Sequence, residues 1–555
     1  MAFEAWNGAV APVPAWLARA AEGACPWPEV YGTDGAVWPE RQALLRRTLS
    51  CYGETFGEGP VRVFRAPGRV NLRGMHVDTH GGWLNLSTHQ REVVVVAGVG
   101  EGGACRLANV DPVHGMATFD PRAWAAHPGL GRDWLGLINS AAAASRRAAW
   151  AGGWGVYAEG ALLRAAHAAP AVLRDGLYAA VGSDLPAGAA LSSSAALGVA
   201  LLLAALGLHG AGLPAGELVL AARDAEWFTG SRCGVSDQAA VVLGRAGQFA
   251  HLAPYLPEFT VGDAVYAPLP PGLAVLVADS RTVRSISGAQ KIAYTRNRFA
   301  YSMALDILRQ EMAAAGLARE AVARADRLSR MTPDLFGGEA ALYGLLARVP
   351  EALGVEDLRR RYDLPGLDAA YAQYFGDLPP DELGPVALRG PLLYGLAESE
   401  RARQWPEALR TGDGAAAGRL MTAGHDGDRV VDRAGRPFDR TVSDAALAAL
   451  AERKTPLADC AGDYGASTPA LDGLVDAALG AGALGASLTG AGLAGCVLVL
   501  CRAAEAEDVA KALRGWLASE AYAARTGKVL PAAAAREAVV VSHATAGAGE
   551  LPFET

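Results

Sequence analysis

The sequence predicts a mixed α+β protein. Runs of β-branched residues at strand length alternate with Ala- and Leu-rich stretches at helix length, and no short-period repeat runs through the 555 residues. Hydrophobic residues make up 51% and charged residues 19%, which places the chain among ordinary globular proteins and away from disordered ones.

Residues 1–60 are rich in Pro, Trp and Ala and end in a predicted helix, "PERQALLRRTLSCYGETFG". Strands follow at "VRVFRA" (Val61–Ala66) and "REVVVVAGV" (Arg91–Val99). A helical stretch surrounds "GRDWLGLINSAAAASRRAAWAGG", and the strand "GLYAAVGSD" runs straight into "LPAGAALSSSAALGVALLLAAL". "LAVLVADS" (Leu273–Ser280) is almost wholly apolar, as a strand covered on both faces should be. Residues 305–390 read as a charged, Pro-punctuated helical insertion. The last third alternates again: helix at "STPALDGLVDAAL", strand at "CVLVLC", helix from "AEDVAKALRGWL", strand at "EAVVVSHA".

A net charge of −8 and a pI near 5.8 give phosphate-rich partners little to hold, so neither nucleic acid nor an acidic membrane is expected. The first twenty residues lack a basic start followed by an apolar run, and "AALGVALLLAALGL" is short of the ~20 residues that span a bilayer. Seven dispersed cysteines without a CxxC pair read as reduced thiols. The expected location is the cytoplasm. Oligomeric state is not legible.

Two stretches carry chemistry. In "GSDLPAGAALSSSAALG", small residues let backbone N–H groups approach an anion, and the following helix points its positive end at it. Taken alone, the serines are more often a helix cap. There is no GxxxxGK[ST], so any nucleotide loop here is not a Walker A. In "GRVNLRGMHVDTHGG", His76, Asp78 and His80 read either as metal ligands or as a polar grip on a polyhydroxylated substrate.

The company of these motifs decides between the readings. "LPAGAALSSSAA" resembles the phosphate loop of the GHMP kinases, "RAPGRVNLRGMHVDTHGG" the galactokinase signature, and "GALGASLTGAGLAGCVLVL" the third motif of that family. "RCGVSDQ" resembles the galactokinase segment holding the catalytic aspartate, and "YGASTPALDGLVDAAL" a later landmark. The motifs occur in the family's order, over roughly residues 55–551. The resemblance implies a two-domain GHMP kinase fold with the active site in the cleft between the domains. An N-terminal extension (1–55) precedes an ATP-binding domain (56–265) and a C-terminal domain (266–555) that holds the insertion at about 305–390.

It further implies ATP and Mg²⁺ as cofactors and a small-molecule sugar substrate phosphorylated at its anomeric hydroxyl. Asp237 is then the base that aims the sugar hydroxyl, and Arg69 steadies its charge and that of the moving phosphoryl group. Pro186, Gly188, Ala190, Leu191, Ser192, Ser193, Ser194 and Ala195 hold ATP. Ser194 and Glu226 hold the metal, although an ungapped match would put Ala225 in the place of Glu226. Gly490, Gly492 and Gly495 close on the cleft. His76, Asp78, Met75, Gly234 and Tyr294 contact the sugar, and the family residue aligned with His80 is Asn, so no metal triad is inherited. A non-catalytic sugar- and ATP-binding regulator on the same fold is the rival reading; the uninterrupted "LSSSAA", Arg69 and Asp237 favour catalysis.

The pattern breaks where the sugar is read. The family Glu is Met75, which cannot accept a comparable hydrogen bond, and the following Tyr and Asn are Thr79 and His80. Galacturonokinases also lose that Glu, so galactose, a uronic acid or another galactose-like sugar all stay open. A carboxylate would need a cation, and Arg73, Arg284 and Lys291 are the candidates.

Overall fold

The computed structural model describes residues 10–553 apart from 34, 171, 256–262, 284–288 and 377. Among the described residues a nine-stranded sheet forms the first half, with the strand order Ala11–Pro12, Pro60–Arg73, Leu84–Val99, Leu177–Ser183, Cys105–Asn109 and Ala117–Phe119. Gln248–Leu252 pairs with the start of Leu84–Val99, and Val265–Pro268 pairs with it in turn. The strands run longer than their apolar cores suggest. Pro60–Arg73 carries register shifts at Pro67/Arg69 and Asn71/Arg73, irregularities that let a strand continue through a Pro-Gly pair.

The "VVVV" run at Val93–Val96 shows why this sheet needs two covers. Val93 and Val95 face helices Gly155–Ala168 and Ser193–Leu208, whereas Val94 and Val96 face the other way. That second face is closed by helices Val13–Ala20 and Trp38–Phe56 and the described chain around them. Their tryptophans pack as a row: Trp16 lies 6.1 Å from Trp27 and 4.8 Å from Phe553, and Trp27 lies 5.8 Å from Trp38. The Trp-rich extension is therefore one wall of the core.

The second half is built on an antiparallel sheet in the order Gly485–Leu488, Cys496–Arg502, Leu273–Asp279, Val539–Val541. Leu276 and Ala278 face helices Pro469–Gly480 and Ala506–Leu517, while Val275 and Val277 join the core that continues into the first half. Both faces of Leu273–Asp279 are covered, as its composition predicts. The chain end returns to the first sheet, where Gly549–Glu550 pairs with Arg65 and Phe64. The stretch read as an insertion is helical, from Ala289–Ala314 through short helices to Arg389–Arg410, a helix with a largely buried face.

Candidate active site

Strand alternation begins the site. Along Pro60–Arg73, Val70 and Leu72 enter the core while Arg69 and Asn71 line a cavity of about 230 Å³. The loop after the strand adds Gly74, His76, Asp78 and Thr79, and helix Ser193–Leu208 adds Ser194. Helix Ala215–Trp227 supplies Glu226, the connection after it Cys233 and Gly234, and helix Ser236–Leu243 Asp237; Arg298, Tyr301, Tyr464 and Gly490 come from later in the chain.

At one end of the cavity Arg69 Nε donates to Asp237 Oδ1 at 2.8 Å, Nη2 lies 2.6 Å from the same oxygen, and Nη1 donates to the Ala190 carbonyl at 2.5 Å. Arg69 thus ties Asp237 to the backbone of the serine loop. Ser194 Oγ donates to Glu226 Oε1 at 2.9 Å, and Gln238 Nε2 donates to Oε2 at 2.8 Å. Burial, and then the charge of Asp237, push the Glu226 carboxyl up to about 7. Ala225 is buried in the core, whereas Glu226 lines the cavity.

The serine loop is conformationally unusual. Gly188, Ala190 and Ser192 have φ of 77°, 59° and 60°, left-handed positions that two non-glycine residues rarely take. Positive φ at every second residue from Gly188 to Ser192 is the kind of backbone pattern from which anion-binding nests are built. Ser192 Oγ is buried without a hydrogen-bond partner among the described residues. Leu191 and Ala195 send their side chains into the core, so they offer an anion only backbone. Pro186 is half-buried, Gly188 is exposed and Ser193 opens the helix. Gly495, with φ 95°, sits where a Cβ would lie 2.6 Å from Ala190 Cβ, and at Gly490 it would lie 3.0 Å away. A Cβ at Gly492 would strike the Ala466 carbonyl at 2.2 Å.

His76, Asp78 and His80 diverge. His76 stacks on Tyr464, Asp78 lies against Gly234, and His80 Nε2 meets Ser302 Oγ at 3.0 Å. Among the described residues no three His, Cys, Asp or Glu side chains converge as a metal cluster.

Two expectations are corrected. Met75 is 1% exposed and packs among Tyr394, Tyr464 and Leu488 rather than lining the cavity, because Glu398 Oε1 holds its backbone N–H at 3.0 Å and that of Gly74 at 2.8 Å. Arg73 does not face a substrate either. It is fully buried, 3.0 Å from Glu398, and donates to the carbonyls of Leu420 and Met421. Arg284 lies outside the described residues, as do the side chains of Lys291 and Tyr294, both on helix Ala289–Ala314. Arg298, which lines the cavity together with Arg69, was not singled out in the sequence, nor were Asn71 and Tyr301; nothing local marks them.

Residues 50–99 match the family described as the galactokinase galactose-binding signature, residues 156–245 the GHMP kinases N-terminal domain, and residues 444–518 the GHMP kinases C-terminal domain. The chain is a galactokinase-like GHMP kinase. This kinase is 28% identical over 434 residues to the galactokinase of Chloroflexus aurantiacus, covering 77% of this chain and 88% of that one. It is 26% identical over 500 residues to the galactokinase of Streptomyces coelicolor, covering 88% and 97%. The structure of Lactococcus lactis galactokinase complexed with galactose shares the fold, at a TM-score of 0.57 and 19% identity, covering 90% of this chain and 98% of that one. As a GHMP kinase of this branch, the protein is an ATP-dependent sugar kinase.

Proposed function

We propose that the enzyme transfers the γ-phosphate of ATP to the anomeric hydroxyl of galactose or a galactose-like sugar. The supporting observation is the single cavity that joins Asp237, Arg69 and Ser194 to the polar loop of His76 and Asp78. Asp237 holds the hydroxyl in line and accepts its proton as the bond to phosphorus forms. Arg69 orients that carboxylate and offsets charge on the transferring group. The nest at Gly188–Ser192 cradles the phosphates, and Gly490 and Gly495 leave room for it to pack.

The oxygen pair of Ser194 and Glu226 suits Mg²⁺, which favours a few protein oxygens and retained water. Held by Ser194 and Glu226, the ion would supply positive charge to offset that of the phosphates. His76, Asp78 and the close-packed Gly234 hold the sugar hydroxyls. With Met75 turned into the core, no acidic side chain at that position reads the hydroxymethyl end. A uronic acid fits this reading, with Arg298 in place of Arg73 as its cation. We place the enzyme in the cytoplasm, where seven unpaired thiols, four of them buried, suit a reducing compartment.

A panel of galactose, galacturonate, arabinose and heptoses with ATP and Mg²⁺ tests the substrate. The expected outcome is sugar-dependent ADP release with a sugar other than plain galactose preferred. Galactose outperforming every other member would remove the argument from Met75.

A further inference from the structure

Asp428 ends helix Gly414–Asp428 with its side chain 1% exposed. A carboxylate is poorly placed there, because the helix C-terminus is the negative end of its dipole and burial strips away water. Such a group persists only where specific partners offset both costs. Its partners lead to the substrate cavity. Oδ2 accepts from Tyr394 Oη at 2.8 Å, Oδ1 accepts from the Ala466 N–H at 3.2 Å, and Oδ1 lies 3.5 Å from His76 Nε2. Burial alone would raise the Asp428 carboxyl, but His76 and Tyr394 hold it below the usual carboxylate range.

His76 is itself held in an unusual place. Its φ of 60° is left-handed, and its ring stacks on Tyr464 at 4.2 Å and 12°. The histidine comes from the loop of the first half; Asp428, Tyr394 and Tyr464 come from the second. The edge of the ring near Nε2 is turned to Asp428, while the residue also lines the cavity.

We propose that Asp428 is a positioning residue for the sugar, fixing the ring plane and proton arrangement of His76 from across the cleft. This rests on the reading of His76 as a sugar contact. Asp428 touches no reacting atom, so it acts on sugar affinity and not on phosphoryl transfer or ATP binding. Loss of one charge-assisted contact corresponds to about a tenfold effect.

The experiment compares wild type, Asp428→Asn, His76→Ala and the double variant, using the best turned-over of galactose, galacturonate and arabinose. Asp428→Asn is expected to raise the sugar KM about tenfold while kcat and the ATP KM stay within about twofold. The double variant should bind sugar no worse than His76→Ala, because both remove one device. Additive losses, an unchanged sugar KM, or equal damage to both KM values would overturn the inference. If His76→Ala itself leaves the sugar KM unchanged, or no sugar turns over, the underlying reading of the site fails instead. Should Asp428→Asn not fold, Tyr394→Phe, which removes one bond to Asp428, must show a smaller shift in the same direction.

Discussion

Arg69 holds Asp237 through one carboxylate oxygen, with Nε at 2.8 Å and Nη2 at 2.6 Å, while its third nitrogen is bound to Ala190 in the phosphate loop. One guanidinium thereby fixes the distance between the proposed base and the proposed ATP cradle. Arg69→Ala should lower kcat by roughly 10²–10³. Arg69→Lys should recover little, because an ammonium cannot supply the planar fork. Steady-state rates check this, and wild-type kcat in either variant would remove Arg69 from the chemistry.

Gly234 faces Asp78 so closely that a Cβ would lie 2.0 Å from Oδ2. Gly234→Ala must therefore displace the carboxylate. The expected result is a sugar KM raised about tenfold or more, with the ATP KM little changed. Calorimetric titration of sugar separates this from a folding defect, and unchanged affinity would mean that Asp78 does not contact substrate.

The N-terminal segment reaches Asp184, next to the serine loop proposed to hold ATP. Arg41, fully buried on helix Trp38–Phe56, forms two hydrogen bonds with Asp184, whose Oδ1 also accepts the Glu92 N–H at 2.9 Å. Asp184 lies two residues before Pro186. Arg41→Ala leaves Asp184 half-buried without its cation, so the ATP KM should rise about tenfold and the sugar KM should not. Equal changes in both would reduce the extension to a cover for the sheet.

How much of this was legible in the sequence follows from how local each signal is. The phosphate loop and Asp237 sit in contiguous motifs, so their residues could be named before any fold was known. Arg73 is only a candidate cation in the sequence, and the register shift at Asn71/Arg73 and the buried Glu398 that draw it into the core leave no local trace there. Tyr301, Arg298 and Asp428 enter the site from helices more than 200 residues beyond the loop they meet. No spacing records that meeting.

Acid should destabilise the fold through buried histidines. His89 is fully buried on strand Leu84–Val99, and its Nδ1 accepts the Arg91 N–H at 3.0 Å. Burial, followed by the charges of Arg91 and Arg41, lowers it to about 3. Its unfolded value is about 6.5, so between these values the unfolded chain binds the extra proton and stability falls as pH falls. The slope is up to about 1.4 kcal/mol per pH unit for each such group. His80, lowered to about 3, and His251, lowered to about 4, act in the same direction. Glu226, raised to about 7, takes up its proton in the folded state and offsets one of them. Urea melts at pH 6.5 and 5 should show a loss that is smaller in His89→Gln. An equal loss in wild type and variant would show that His89 does not titrate on unfolding.

The central claim is that Asp237 aims an anomeric hydroxyl at the terminal phosphorus of ATP. Phosphorus NMR of the product, made by wild type and by Asp237→Asn with the preferred sugar, measures it most directly. The account predicts phosphate on the anomeric oxygen, with turnover reduced roughly 10²-fold or more in the variant while sugar binding is kept. Phosphate on any other oxygen, or an undiminished rate in Asp237→Asn, would contradict it.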